Sequence, residues 1–569
     1  MQTTDALLAA FGSILAGLVS WHLWVGAQRA RRYDVKDIPG PKQMPFFGNL
    51  GAVFGSSHVH RILAQWTKKY GSIFKWNIAG QDMLVITDPE EVSKLCSRDL
   101  NLPKSAPFYK GLNHRAPHNN ILATPDYQEW KYLRKMTNPA FSQENIRKAY
   151  PQIYKRVCNA TDVLHKMCRR RPVNISDLSS RITAEVINKV AFGEHLGALE
   201  YKEQEDGTVQ LATQEILEHL KKYQDDLTVA FTNPLFAVLL WVCPWHPRAK
   251  QAKATFLHLT KNDDRLAELI KQRGPQPESD TSLWACLSRC VNYKDGTPLP
   301  LQSVAANAGI FFAAGYETTA HAISWALFEL AADTAIQARV RKELSTAGLV
   351  ATPGHPPLRH LDFADLSKMR VLDAVIKETL RLHGPAPIGT VRETDRDMVI
   401  KGYRVPRGMA LMLSPHPMHV SSLNYLHPDK FWPERWVSNT VSEWDPEQAA
   451  HPDATTKGNQ RNINASWNPF STGPRNCIGQ TLALAELRTV LAVMIGNFFF
   501  ELPEGVSREN FIEEEEVWWV TLQAKNGVRL NVHPIMEEKL PEPKGPKNNF
   551  FYEELTRLAK EAEEGGGRR

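Results

Sequence analysis

The sequence predicts a mainly α-helical protein with small β-sheets, behind one N-terminal membrane helix. Residues 305–330 form a long, largely apolar stretch of helical character, and residues 150–300 also read as mostly helical. Apolar and aromatic residues at 73–76 and 84–86 indicate short strands. The composition, 43% hydrophobic and 23% charged, is typical of a globular protein with a sizeable core.

The predicted membrane helix spans residues 6–25, a run without Asp, Glu, Lys or Arg that is long enough to cross a bilayer. Basic residues follow it at 29–36, so the rest of the chain is expected on the cytosolic side and the N-terminus in the lumen. A cleaved signal peptide is the alternative, with Val25-Gly26-Ala27 as its cleavage site. Asp5 and the absence of a basic residue before the run favour a retained anchor.

The chain divides into four predicted parts. They are the membrane anchor at 1–28, a basic and proline-rich hinge at 29–45, one large domain at 46–535 and a polar C-terminal tail at 536–569. The hinge is stiff because it contains Ile38-Pro39-Gly40-Pro41. Length alone suggests about three or four domains, but the motifs below extend from Trp130 to Cys477 and must meet at one site.

Charge and cysteine usage exclude several classes of protein. The net charge of +6 is mild, and no basic block with interleaved aromatic residues predicts nucleic-acid binding. Seven cysteines at irregular spacings, without a Cys-x-x-Cys pair, predict neither a disulfide framework nor a zinc site. A polar stretch at 437–466 looks like an insertion without chemistry of its own.

The most informative stretch is Phe470-Ser-Thr-Gly473-Pro-Arg475-Asn-Cys477-Ile-Gly479. It has the pattern of a turn that offers one thiolate to haem iron and then enters a helix, whose N-terminus would lower the pKa of the thiol. The two glycines allow tight turns and close approach to a porphyrin, and Arg475 supplies a cation for a haem propionate. A free buried cysteine is the alternative interpretation.

At these residues the chain resembles the cytochrome P450 family, whose haem loop is Phe-x-x-Gly-x-Arg-x-Cys-x-Gly. The resemblance extends over residues 38–535 and implies a triangular-prism domain that binds haem b, iron protoporphyrin IX, with Cys477 as its axial thiolate ligand. Phe470 and Gly479 then belong to the cofactor site.

A second motif, Ala314-Gly315-Tyr-Glu317-Thr318-Thr319, lies inside the predicted helix at 305–330. Glycine and β-branched threonines weaken a helix centre. A threonine hydroxyl that bonds the carbonyl four residues back bends the helix further and makes room for dioxygen. The family's acid–alcohol pair matches Glu317 and Thr318, which are expected to control proton delivery.

Further motifs carry roles that the resemblance implies. Trp130 and Arg134, four residues apart on a helix, and Arg392 match the family's propionate-binding residues. The resemblance also implies that Glu378 and Arg381 pair with Arg435 in a buried scaffold beneath the haem loop.

Substrate contacts are expected from three segments. Candidates are Phe108, Tyr109 and Leu112 in an irregular loop at 103–122, the segment 388–391, and a late hairpin at 517–520. The loop aromatics fit ordinary packing equally well. The apolar run at 235–245 is either core or a membrane contact beside the substrate entrance.

The resemblance implies a monooxygenase of the endoplasmic reticulum membrane that uses O2 and a lipophilic substrate. Because no flavin or nicotinamide module follows the haem domain, electrons are expected from a separate NADPH-cytochrome reductase. Lys131, Lys135, Arg147 and Lys148 are candidate contacts for it, with an ordinary solvated face as the alternative. Two other functions remain open: a haem-thiolate isomerase or dehydratase that needs no external electrons, and a non-catalytic haem-binding protein.

Overall fold

The computed structural model describes residues 37–44, 48–78, 81–112, 120–168, 172–205, 209–233, 242–436 and 465–536. The predicted anchor at 1–28, most of the apolar run at 235–245, nearly all of the insertion and the tail after Met536 lie outside these ranges. Among the helices inside them, none combines the length and the apolar character that a membrane span requires.

Helices dominate the described ranges, which confirms the mainly α prediction. In chain order they are α1 Leu50–Val53, α2 Val59–Tyr70, α3 Pro89–Leu95, α4 Ala106–Leu112, α5 Tyr127–Thr137, α6 Gln143–Met167, α7 Ile175–Phe192, α8 Glu215–Thr232, α9 Pro247–Arg273, α10 Leu283–Ser288, α11 Leu301–Ala332, α12 Thr334–Thr346, α13 Arg370–Leu382, α14 Pro415–His419, α15 Gln480–Asn497 and α16 Arg508–Glu515. Short 3-10 turns occupy Asn138–Phe141, Phe363–Asp365 and Pro433–Trp436.

The strands form small sheets, again as predicted. They are β1 Ile73–Ile78, β2 Gln81–Ile86, β3 Val173–Asn174, β4 Tyr201–Glu203, β5 Val209–Leu211, β6 Thr390–Glu393, β7 Met398–Ile400, β8 Tyr403–Val405, β9 Ala410–Leu413, β10 Phe498–Glu501, β11 Glu516–Trp519, β12 Thr521–Ala524 and β13 Arg529–Pro534. The largest sheet has the order β1-β2-β9-β6. Its edge strand β6 pairs antiparallel with β9, and the pairing of Arg392 with Leu411 fixes the position of that arginine.

Helix α11 forms the centre of the core. It packs against α7, α9 and α15, and its second half is buried on nearly every side, with Trp325 and Phe328 among the largest fully buried side chains. A helix with apolar residues on most of its faces fits the interior of a large protein, which explains the central position of α11. Since α15 follows Cys477 directly, this packing brings the acid–alcohol helix and the cysteine loop together.

The described first part of the segment 103–122 differs from the irregular loop that was predicted. Residues Ala106–Leu112 form the short helix α4, because Pro107 lies in the first turn, where its missing N–H is not needed. The N–H of Tyr109 donates to the carbonyl of Ser105 at 3.1 Å, which closes the turn.

Glu378 is a completely buried carboxylate held by residues from two segments. It accepts from the guanidinium of Arg381 at 2.8 and 2.9 Å, from Arg435 at 3.0 Å, from the N–H of Trp432 at 2.9 Å and from the indole of Trp436 at 2.9 Å. Burial alone would raise the pKa of Glu378, but the two arginines outweigh it and lower the pKa. The predicted scaffold is therefore present.

A second buried ionic group surrounds His383. Its ring lies 2.7 Å from both Glu329 of α11 and Glu516 of β11, and it stacks on Trp325 with the ring centroids 4.3 Å apart. Arg508 also binds Glu329, while His60 and Arg61 bind Glu516. Burial alone would lower the pKa of His383, but its hydrogen bonds to the two carboxylates outweigh burial and raise it.

This raised pKa predicts a pH-dependent contribution to stability. The charged histidine stabilises the fold fully below the unfolded-state pKa of 6.5, and the stabilisation is lost as pH rises through the higher folded-state value. His383→Gln should cost about 3–5 kcal/mol at pH 6, because the two buried carboxylates lose the positive charge that they share, and only Arg508, His60 and Arg61 remain to compensate them. The thermal unfolding midpoints of the two proteins, followed by circular dichroism from pH 6 to 9, should converge as pH rises. A difference between the two midpoints that stays constant from pH 6 to 9 would contradict a charged His383 in the folded protein.

Candidate active site

The cysteine loop is held by its own backbone and by helix α3. The N–H of Cys477 donates to the carbonyl of Phe470 at 2.9 Å, and that of Asn476 donates to Gly473 at 3.1 Å. Gly473 has a φ of +76°, and a Cβ there would lie 1.9 Å from the carbonyl oxygen of Cys96. Only glycine fits this position. Gly479 has an ordinary φ of −84°, and a Cβ there would lie 3.9 Å from the Cys477 sulfur.

Aromatic contacts connect this loop to the buried Glu378. The ring centroids of Trp436 and Trp467 are 6.1 Å apart, and those of Trp467 and Phe470 are 6.3 Å apart, both edge to face. The Trp467 indole also donates to the carbonyl of Lys377 at 3.0 Å. Phe470 therefore positions the loop through its packing as well as through its carbonyl.

Two opposing effects act on the pKa of the Cys477 thiol. The N–H groups of Gly479 and Gln480 at the start of α15, together with Arg134, lower this pKa as expected, but burial outweighs them and the net shift is upward. Without a metal, burial favours the neutral thiol of Cys477. A coordinating metal ion would deprotonate the thiol outright.

Three cationic side chains lie close to one another at the cysteine loop. Arg475, Arg392 and Lys104 interact electrostatically with one another. The Nε and Nη2 atoms of Arg475 and the Nε atom of Arg392 are buried without a hydrogen-bond partner. Burial and the two arginines lower the pKa of Lys104 to about 8. Unpaired buried cations call for anions, and the two carboxylates of haem b have the required charge.

Lys104 is a candidate site residue that sequence analysis missed. Its Nζ donates to the carbonyl of Leu122 and lies 4.4 Å from the centre of the Tyr109 ring, and its backbone bridges to Arg392. A lone lysine after a proline carries no motif. The available signal was its position in a segment already expected to cover the pocket.

Trp130 and Arg134 of α5 have different surroundings. Arg475 lies over the Trp130 ring at 4.5 Å, a cation–π contact that orients the guanidinium. Arg134 instead donates to the carbonyl of Asn476 at 2.6 Å and to its side chain at 3.0 Å, beside Cys477. Its contact with a propionate stays a prediction.

The acid–alcohol pair lies midway along α11. The Thr318 hydroxyl donates to the carbonyl of Ala314 at 2.9 Å, the bond to the fourth preceding residue that the motif predicts. The Glu317 carboxyl is buried, accepts from Thr521 at 2.9 Å and also accepts from Gln224. Burial raises the pKa of Glu317 to about 8, although both hydrogen bonds lower it. Glu317 is thus a neutral acid at neutral pH.

The expected substrate contacts are mostly buried side chains. Ile388 and Val391 belong to the core around β6, and the Tyr109 hydroxyl lies 3.2 Å from Thr390. Strands β11 and β12 form the predicted hairpin, with Val520 at a φ of +64° in its turn. The Leu112 side chain lies outside the described residues. The four basic residues proposed to contact a reductase, Lys131, Lys135, Arg147 and Lys148, are all exposed.

A buried acid beside a threonine on a central helix, a cysteine loop and a cluster of unpaired cations together match the features expected of a haem-thiolate oxygenase. The family model of cytochrome P450 matches residues 38–528, and the chain belongs to this family. Its members bind haem with an axial cysteine thiolate, and this chain is accordingly a haem monooxygenase.

Curated relatives span most of the chain at low identity. The rat mitochondrial 25-hydroxyvitamin D-1 alpha hydroxylase is 26% identical over 82% of this chain and 88% of its own length. Human cytochrome P450 3A7 is 26% identical over 82% of this chain and 85% of its own length. Germacrene A hydroxylase of Saussurea costus is 25% identical over 87% of this chain and 93% of its own length.

We expect Cys477→His to abolish the thiolate signature of the haem. The reduced, CO-bound wild type should show the red-shifted Soret band that thiolate ligation produces, and the variant should lose it. Cys158→Ser, at a half-buried cysteine on α6, is the matched control and should keep the band. Retention of the band in Cys477→His would exclude Cys477 as the ligand.

Lys104→Met is expected to have opposite effects on cofactor retention and on the stability of the haem-free protein. Loss of a charged hydrogen bond of about 1.5–3 kcal/mol should speed haem release roughly 10- to 100-fold. The haem-free protein should become more stable, because one of three mutually repelling buried cations is gone. Haem transfer to apomyoglobin and thermal unfolding measure the two effects, with the exposed Lys131→Met as control. Unchanged release would show that Lys104 does not contact the haem.

Proposed function

We propose that this chain is a membrane-anchored monooxygenase that inserts one atom of O2 into a lipophilic small molecule, with electrons from a separate NADPH-dependent reductase. The observation that carries the proposal is the acid–alcohol pair, Glu317 and Thr318, on a central helix packed along the helix that follows Cys477. A haem-thiolate isomerase or dehydratase would not need that pair.

Cys477 would ligate the iron, and Arg475, Arg392, Lys104 and Trp130 would hold and orient the propionates. Bound haem supplies electron density from its thiolate that favours cleavage of the O–O bond. The protein supplies position and protons. Thr318 keeps its hydroxyl at the helix surface through the bond to Ala314, where it can hold a water, and Glu317 is an acid that keeps its proton at neutral pH.

A lipophilic substrate is supported by the apolar walls and by the relatives. Relatives are named for reactions of 25-hydroxyvitamin D, germacrene A and amorpha-4,11-diene. In this chain the candidate walls are Phe108, Tyr109, the segment 388–391 and the hairpin at 517–520. Lipophilic compounds added to the purified ferric protein should produce the low-to-high-spin optical shift if one of them enters this pocket.

The requirement for NADPH tests the reaction class. Product formation should need NADPH, O2 and an added reductase, because the domain at 46–535 contains no flavin module of its own. Charge reversal of the exposed Lys131 and Lys135 should slow reduction of the haem and weaken its salt dependence. Turnover of a peroxide substrate without any electron donor would instead support the isomerase or dehydratase.

We also propose an endoplasmic-reticulum location with a lumenal N-terminus and a cytosolic haem domain, based on the uncharged run at 6–25 and the basic residues after it. One relative is named as mitochondrial, so the location needs its own test. The sequons at Asn159, Asn174 and Asn464 should remain unglycosylated in the native host. A glycan on any of them, found by mass spectrometry of tryptic peptides, would overturn this topology.

Thr318→Ala should separate electron consumption from product formation. Haem content, thiolate ligation and substrate binding do not use the hydroxyl and should stay close to wild type. Product per NADPH should fall by up to the factor of about 10²–10⁴ that general acid–base help provides, while hydrogen peroxide rises.

Thr318→Ser keeps the hydroxyl and is the matched control. Product, hydrogen peroxide and NADPH consumption are measured at saturating substrate. Equal product per NADPH in Thr318→Ala and wild type would mean that Thr318 is only a helix residue.

A further inference from the structure

Glu317 belongs to a buried polar cluster built from three separate elements. Gln224 comes from α8, Glu317 and His321 come from successive turns of α11, and Thr521 comes from β12. Each of the four is less than 10% exposed. Thr521 joins the other two side chains, because its hydroxyl lies 2.9 Å from Oε1 of Glu317 and 3.1 Å from Nδ1 of His321.

The cluster is uncharged at neutral pH. Burial raises the pKa of Glu317 to about 8, and burial together with Lys221 of α8 lowers the pKa of His321 to about 3. The neighbouring Tyr316 is also neutral, since burial raises its pKa well above the usual value. A neutral acid, a hydroxyl and a neutral imidazole thus lie in one row, and each can both give and take a proton.

The other surroundings of the carboxyl do not provide a route for protons. Oε2 of Glu317 is bonded to the amide of Gln224, which has no accessible pKa, and the Thr318 hydroxyl is bonded to the carbonyl of Ala314. Among the described residues, Thr521 is the side chain that connects the carboxyl to a titratable group. Nε2 of His321 makes no hydrogen bond to the described residues, and His321 as a whole residue keeps 7% exposure.

We propose that Thr521 and His321 form a proton relay that reloads Glu317 from solvent. This inference rests on the proposed function, in which the Glu317 carboxyl gives up a proton during oxygen reduction. It adds two positioning residues that act through Glu317 and do not themselves touch the substrate or the haem.

One proton enters the relay for each proton that leaves it. When the carboxyl has given up its proton, Oε1 takes the hydroxyl proton of Thr521, and the Thr521 oxygen takes the Nδ1 proton of His321. The ring then takes a proton from water at Nε2. The ring then releases the Nε2 proton to water and takes one up from water at Nδ1 while it is turned away from Thr521. Return of the ring and rotation of the hydroxyl toward Glu317 restore the starting arrangement, with no net change in charge.

Hydrogen exchange at the carboxyl tests the relay without turnover. The infrared C=O band of protonated Glu317 is identified by its loss in Glu317→Gln, which separates it from the band of Glu486, another buried carboxyl with a raised pKa. After mixing into D2O, the band should shift at similar rates in wild type and Thr521→Ser. Thr521→Val and His321→Gln should slow the shift at least tenfold, because neither replacement can pass a proton.

Catalytic coupling provides the second measurement. Product per NADPH should fall in Thr521→Val and His321→Gln, recover in Thr521→Ser, and fall no further in the double variant, because a chain that is broken once cannot be broken again. Thr183→Val is the matched control. Thr183 is a buried threonine on α7 whose hydroxyl bonds only the backbone of Ser179 and Ser180, so both measurements should stay at wild-type values.

Wild-type exchange rates in Thr521→Val and His321→Gln would overturn the relay. If Thr521→Val does not fold, His321→Gln decides alone, since glutamine keeps a hydrogen bond to Thr521. A different outcome is slowed exchange in Thr521→Val and His321→Gln together with a wild-type product per NADPH in Glu317→Gln. That outcome would support the relay and overturn the role of Glu317 in the proposed function. The two claims therefore fail separately.

Discussion

The buried carboxylate of Glu378 is the interaction on which the rest of the site depends. A buried carboxylate is tolerated only when its oxygens accept hydrogen bonds. Those of Glu378 accept hydrogen bonds from α13 and from the turn at Pro433–Trp436. Trp436 then contacts Trp467, and Trp467 contacts Phe470, whose carbonyl holds the Cys477 N–H. The ion pairs of Glu378 thus help to position the Cys477 sulfur through two successive aromatic contacts.

Buried ionisable groups occur here in three distinct electrostatic states. Glu378 is charged and fully paired, Glu317 is neutral and hydrogen-bonded, and Arg475 is a cation with unpaired atoms. The first state suits a scaffold, because a carboxylate that is fully hydrogen-bonded is held in one position and is not available for proton transfer. The second suits an acid that must keep its proton until it is needed. The third suits binding, because unpaired cations stabilise the protein only when an anion arrives.

Residues whose partners lie within one turn or one motif were predictable from the sequence. Thr318 bonds Ala314, and Glu378 pairs with Arg381, at the distances that helix geometry imposes. Lys104 and Thr521 were not predictable, because their roles arise from packing against segments hundreds of residues away. The N–H groups at the start of α15 lower the pKa of Cys477 as the sequence predicts, but the burial that opposes them could not be predicted from the sequence.

The β11–β12 hairpin has a consequence for redesign of this protein. Its turn at Trp519 and Val520 is a natural place to change which molecules are accepted. Thr521 is the next residue, and its hydroxyl donates a hydrogen bond to Glu317. A library that reshapes the turn will move that hydroxyl as well. Variants selected there for a new substrate would then waste reducing equivalents, and selection for yield per electron has to accompany selection for binding.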